Sequence, residues 1–245
     1  MKKYFKIFFI MIIGNIALYA TTKIMPLGDS ITWDWHYYDN RSDAYRSGYR
    51  NYLWYKLQDA DYDVDFVGSQ NNGGAVKPLY DGDNEGHTGW TSYQIANNIY
   101  SWLELNKADI ILLHIGTNDW VYYSSASVNG VEEILNEIDR FERDKKVKIK
   151  VILAKIINLS KDPNWIKSFN SNLTLMANNR MANGDDIVLV DMYRALNYWS
   201  DMVDGIHPND NGYKKMANVW FNALEKIIHK DYSWLIPIQH IILSP

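Results

Sequence analysis

The hydrophobic and polar positions of this chain follow two rhythms. Short apolar runs at residues 23–27, 64–67, 109–115, 148–156 and 187–190 are bounded by polar residues or glycine. Such runs read as strands buried on both faces. Between them the apolar residues recur every three or four positions. Leu53 and Leu57 sit four apart. Val131, Ile134, Leu135, Ile138 and Phe141 form one stripe, and Trp165, Phe169, Leu173, Met176 and Ala177 form another. Met216, Val219, Trp220, Ala223, Leu224 and Ile227 make the last. That spacing lines one face of a helix, and the stripes are read as core-facing. Strands alternating with helices predict an α/β fold. The expected form is a single-domain, doubly wound, flavodoxin-like sheet of about five parallel strands with helices on both faces. No internal repeat, low-complexity tract or linker divides residues 21–245.

The N-terminus departs from this pattern. Lys2, Lys3 and Lys6 precede an apolar run at residues 7–13, and Ala17 and Ala20 follow. A basic start, a short apolar middle and a small-residue end describe a secretory signal peptide, read here as residues 1–20 and cleaved after Ala20. The expected destination is the periplasm or the extracellular medium. The apolar run is shorter than the ~20 residues of a spanning helix, so no stable membrane insertion is expected after cleavage. An uncleaved membrane anchor is the alternative. The tail, residues 232–245, is apolar with two prolines and is expected to pack on the surface.

Composition narrows the chemistry. A chain of 245 residues, 47% hydrophobic, suits one domain of ordinary core size. The formal charge of -4 with mixed signs gives no footprint for nucleic acid. Cysteine is absent, which excludes disulfides, a thiolate nucleophile, Cys-ligated metal and lipoprotein anchoring. Tryptophan and tyrosine are abundant, at 10 and 18.

The first strand runs into Gly28-Asp29-Ser30. A serine on a tight turn at a strand end can present its hydroxyl to a cleft, although most serines beside glycine are only turn residues. A serine nucleophile needs a base, an orienting acid and oxyanion donors. In open α/β sheets, ligands bind at the carboxyl ends of the strands. Ser30, the loop at residues 68–91 with Glu85-Gly86-His87-Thr88-Gly89-Trp90, then Gly116-Thr117-Asn118-Asp119 and Asp204-Gly205-Ile206-His207-Pro208 all fall on that edge.

Among the histidines, His114 lies within a strand and reads as a satisfied core side chain. His229 and His240 lie in the terminal helix and tail. His36 and His87 lie in loops, with Glu85 the one carboxylate at short spacing. His207 has Asp204 three residues before it. That spacing lets the carboxylate meet Nδ1–H and leaves Nε2 free to accept a proton from the serine. Asp204 is expected to raise the imidazole pKa by stabilising its charged form. The plainer reading is a capping aspartate and an exposed histidine before the last helix. Asn118, the N–H of Gly89 and the N–H of Ser30 are candidate oxyanion donors, while Gly-Thr-Asn-Asp is also an ordinary turn. Asp81, Asp83, Asn84 and Glu85 could suggest a calcium loop, but such residues are more often solvated.

In their order along the chain, Gly28-Asp29-Ser30, Thr88-Gly89, Gly116-Thr117-Asn118-Asp119 and Asp204-x-x-His207 resemble the four blocks of the SGNH (GDSL-like) hydrolases. Within them the chain resembles carbohydrate esterase family three. That likeness is carried by the stretch Ile24-Met25-Pro26-Leu27-Gly28-Asp29-Ser30-Ile31-Thr32 together with Tyr49-Arg50, Asp65-Phe66-Val67-Gly68-Ser69, Glu85-Gly86-His87-Thr88-Gly89-Trp90-Thr91 and His114-Ile115-Gly116-Thr117-Asn118-Asp119. The resemblance implies Ser30 as nucleophile, Asp204 and His207 as its partners, and Gly89 and Asn118 as oxyanion donors, with Gly68 the rival glycine. It implies no metal or organic cofactor, and an acetylated polysaccharide or small acetyl ester as substrate, as in acetylxylan esterases. Asp29, Trp33, Trp90 and Trp120 are candidate substrate contacts. Thr88 stands where family members often carry serine. Residues 33–47 form a longer aromatic-rich segment than the family leads one to expect, able to narrow or cap the cleft. Two alternatives stay open: a weakly active carbohydrate-binding protein with rim aromatics Trp35, Tyr37, Tyr38, Tyr122 and Tyr123, or a lipase or thioesterase acting on longer acyl esters.

Overall fold

The computed structural model describes residues 20–123, 125–158 and 163–228. The signal-peptide and tail expectations lie outside these residues, apart from Ala20. The strands are β1 Thr22–Gly28, β2 Val64–Phe66, β3 Gln70–Asn71, β4 Asp83–Gly86, β5 Ile110–His114, β6 Lys150–Lys155 and β7 Ile187–Asp191. They make one 7-stranded sheet. All its pairings are parallel except β3 with β4.

The core order β2-β1-β5-β6-β7 is the flavodoxin-like one, with the direction of winding reversing between β1 and β5. The sheet is wider than the expected five strands because residues 68–91 are not a plain loop. β2 pairs with Thr22–Ile24 of β1, and β4 then takes over the same edge at Leu27–Gly28. Pro26, which has no N–H to donate, falls where β1 changes partner.

The helices are α1 Ser30–Trp33, α2 Arg50–Asp59, α3 Ser92–Leu105, α4 Asp119–Tyr122, α5 Asn129–Lys145, α6 Pro163–Ala182, α7 Met192–Ala195, α8 Tyr198–Asp201 and α9 Asp210–Leu224. Side chains alternate across each strand. Met25, Leu27, Ile111, Leu113, Val151 and Leu153 therefore pack with α3, α5 and α6. Ile24, Ile110, Leu112, Ile152 and Ala154 pack on the opposite face with α2 and α9. α3 is an element the apolar stripes above did not include. It begins with a capping box: the Gln94 N–H donates to the Thr91 hydroxyl, and the Thr91 N–H donates to the Gln94 side chain.

Candidate active site

β1 ends and α1 begins within three residues. Gly28 is required there, because a Cβ would sit 2.4 Å from the His114 carbonyl and 2.5 Å from the Thr32 hydroxyl. Asp29 caps α1, accepting the Ile31 N–H at 2.9 Å. The Ser30 N–H is one of the helix's first donors, which have no intrahelical partner. The Ser30 Oγ–H donates to His207 Nε2 at 2.9 Å. On the other side of the ring, Nδ1–H donates to Asp204, with 2.8 Å to Oδ2 and 3.1 Å to Oδ1. Asp204 Oδ1 also accepts the backbone N–H groups of Ile206 at 3.0 Å and His207 at 2.9 Å. The turn between them needs a positive φ at Gly205, 83°.

Burial sets the electrostatics. It holds the His207 imidazole below its ordinary pKa, against the opposing pull of Asp204. The expectation that Asp204 would raise the imidazole is therefore corrected: desolvation outweighs the ion pair. Asp204 itself is held below the usual carboxylate range, because hydrogen bonds and the charge of His207 together overcome its own desolvation.

The other sequence-named residues divide. Asn118 Nδ2 donates to the Trp90 carbonyl at 2.9 Å, which ties the Gly89 loop to the turn after β5. One N–H of that amide remains for a ligand. Gly89 is exposed, has φ of 79°, and a Cβ there would meet nothing within 4 Å. Gly68 differs: a Cβ would lie 2.1 Å from the Asn84 carbonyl oxygen, so this glycine serves strand packing.

Asp29 has no exposed surface, and burial pushes its carboxyl up to about 7. The substrate-contact expectation for it is corrected, since its carboxylate faces inward and caps α1. Trp33, Trp90 and Trp120 are half-buried. Trp90 stacks on His87 with ring centres 4.4 Å apart, and Trp102 stacks on the same imidazole at 4.4 Å. Glu85 is spent internally, on Ser69 and on His87 Nε2 at 2.7 Å. Asp81 accepts the Phe66 and Asp83 N–H groups, and Asn84 donates to Asn72. His114 is a core side chain, but the expectation that it is satisfied there is corrected: neither ring nitrogen has a hydrogen-bond partner among the described residues, and burial pushes its pKa down to about 4.

Sequence reasoning left open how residues 33–47 fold. They turn back over the histidine. Trp35 meets His207 edge-on with ring centres 6.0 Å apart, and His36 lies at 6.4 Å. Arg41 clamps this segment to Asp34 at 3.1 Å and to Asp39 at 2.7 Å. Arg46 adds bonds to the carbonyls of Asp39 and Arg41. The segment also walls a separate polar cavity of about 250 Å³, lined by Asp34, His36, Arg41, Tyr52 and Asp210 among others but by neither Ser30 nor His207. Alternating Arg and Asp among the aromatics was the available signal for a folded segment.

Residues 24–220 match the GDSL-like Lipase/Acylhydrolase family, and the chain belongs to it. Its members hydrolyse carboxylic esters. Among individual proteins, the chain is 33% identical over 239 residues to a multidomain esterase of Ruminococcus flavefaciens, covering 84% of this chain and 29% of that one. It therefore spans under a third of that relative. In structure it is similar to a Clostridium thermocellum family 3 carbohydrate esterase, with TM-score 0.71 and 29% identity over 86% of this chain and all of that one. A family 3 carbohydrate esterase from Talaromyces cellulolyticus gives TM-score 0.70 and 30% identity, over 84% of this chain and 97% of the other.

Proposed function

We propose that this chain is an exported serine esterase that removes acetyl groups from a polysaccharide. The observation that carries the reading is the hydrogen-bonded chain from Asp204 through His207 to Ser30 at the carboxyl edge of the sheet. His207 Nε2 takes the Ser30 proton as Oγ attacks the ester carbonyl. The N–H groups of Ser30 and Gly89 and the free N–H of Asn118 receive the oxyanion. His207, now cationic and held by Asp204, protonates the leaving sugar oxygen. Water, deprotonated by the same nitrogen, then releases acetate from Ser30.

The test is hydrolysis of nitrophenyl acetate, butyrate and octanoate beside acetate release from acetylated xylan. Acetate should be the preferred acyl group, and Ser30→Ala should lose several orders of magnitude while staying folded. A Ser30→Ala protein that kept a tenth of the parent's turnover, or a preference for octanoate, would refute it.

A further inference from the structure

The exposed aromatic side chains of the described residues lie in segments that follow the carboxyl end of a strand. Six of the aromatics in these segments form three T-shaped pairs. Tyr37 and Tyr38 stand 5.3 Å apart at 84°, on the segment after Ser30. Tyr93 and Tyr123 stand 5.7 Å apart at 68°, on the segments after Gly89 and Asn118. Tyr198 and Trp199 stand 5.1 Å apart at 81°, on the segment before Asp204. Each arm of the candidate active site thus carries one pair.

Three of the six rings stand mostly in solvent. Trp199 is 90% exposed, Tyr37 77% and Tyr38 76%. The segments that carry the pairs are tied to the rest of the fold through buried carboxylates. Asp34 holds the Ser47 N–H and Arg41. Asp119 holds the Ser92 N–H and hydroxyl. Asp201 accepts from Lys215 at 2.6 Å and Asn211 at 2.7 Å, and Asn197 caps the Trp199 N–H. Rigid mounting lowers the ordering cost of binding. Flat rings with a polar edge suit a ligand that is apolar on its faces and hydroxylated round its rim.

We infer that the three pairs are stacking sites for pyranose rings, so that a polysaccharide chain of several sugars lies across the cleft. This rests on the polysaccharide reading above and adds where the sugars that flank the acetylated one are held.

The experiment uses Ser30→Ala protein in native gels cast with acetylated xylan, acetylated glucomannan or acetylated pectin. At least one polymer should retard it. On that polymer, Trp199→Ala, Tyr37→Ala and Tyr93→Ala should each weaken binding by about fivefold, the scale of one aromatic contact. Trp199→Phe should keep most of the retardation, and Leu105→Ala, exposed on the opposite edge of the sheet, should leave it unchanged. Melting curves on the same proteins confirm folding. No retardation by any of the three polymers overturns the inference, as does retardation unchanged in all three alanine variants. If the active protein released no acetate while the gel shifts and their losses held, the esterase reading would fall and the stacking sites would stand.

Discussion

Arg50→Met tests what holds the Ser30 helix in place. Arg50 is fully buried. Its guanidinium donates to the carbonyls of Thr32 at 3.0 Å, Gly82 at 2.9 Å, Arg46 at 3.2 Å and Trp33 at 3.5 Å, and to Asn72 Oδ1 at 2.8 Å. Five charge-assisted bonds at about 1.5–3 kcal/mol each would sum to roughly 7–15 kcal/mol, enough to unfold most domains. The sum is not the expected cost, because most of these acceptors have a second donor. Asn72 Nδ2 also reaches the Trp33 and Arg46 carbonyls at 2.9 Å each. Asn84 Nδ2 also reaches the Gly82 carbonyl at 2.9 Å and Asn72 Oδ1 at 2.8 Å. Thr32 alone loses its partner, and an orphaned buried carbonyl costs about 1–3 kcal/mol. Methionine fills most of the volume and removes a buried cation. The expected loss is therefore about 2–4 kcal/mol, seen as a fall of roughly 5–15 °C in Tm. Thr32 is two residues from Ser30 in a single helical turn, so kcat on nitrophenyl acetate should fall by about tenfold to a hundredfold in the folded variant. Asn72→Ala added to Arg50→Met should cost more than the two singly, since each covers for the other. An unchanged Tm, or an Arg50→Met protein that cannot fold at all, would refute this account of redundant donors.

Three further outcomes follow from the geometry. Because burial lowers the His207 pKa, kcat/KM should rise with pH through a single titration below the ordinary imidazole value of 6.5, and a midpoint above 7 would contradict it. Gly89→Val, strained at positive φ but unobstructed, should lose kcat as sharply as Asn118→Ala, about 100-fold or more, with modest destabilisation; Gly68→Val should instead lose stability, and the reverse pattern on melting and single-turnover assays would exchange their roles. Asp29→Asn keeps the cap oxygen but cannot ionise; the native carboxyl, raised from 3.8 to about 7, holds its proton where the unfolded chain has lost it, so the parent loses stability as pH rises between those values and the variant's relative gain should grow to at most about 4 kcal/mol, whereas a pH-independent difference in denaturant midpoints would refute the titration.

The five parallel strands and the order of their connections were legible because strands buried on both faces leave continuous apolar runs. β4 was not. Its residues Asp83, Asn84, Glu85 and Gly86 are polar, and they form a strand because β1 offers an edge beyond Ile24 and because Asn84 and Glu85 find buried partners. No period of apolar residues reports that. α3 was legible in principle, through Thr91 and Gln94 and through Ile95, Ile99 and Leu103 at four-residue spacing. The Ser30, Asp204 and His207 cluster was readable because each follows a strand and because a three-residue separation joins the acid to the base. The direction of the His207 pKa was not, since spacing reveals the partner but not the depth of burial.

The turn reading and the proposed functional reading of these motifs are compatible. Gly28-Asp29-Ser30 is a turn, and each residue in it has a separate duty: close approach to β5, capping, and presentation of a hydroxyl. The same division holds in Gly116-Thr117-Asn118-Asp119. Gly116 adopts φ of 124° with its α-carbon facing Phe169, where a Cβ would lie 2.4 Å from the ring. Asn118 ties down the Gly89 loop, and Asp119 holds the first residue of α3 through the Ser92 N–H at 2.8 Å. Turn-forming residues are short and polar, so they can bond backbone within one or two residues. The proposed site needs that property, because the loops it asks to hold three donors and a nucleophile in register have little apolar core to fix them. Asn118→Ala would therefore free the Gly89 loop as well as delete a donor, and its loss of activity should exceed that of a variant removing the oxyanion contact alone.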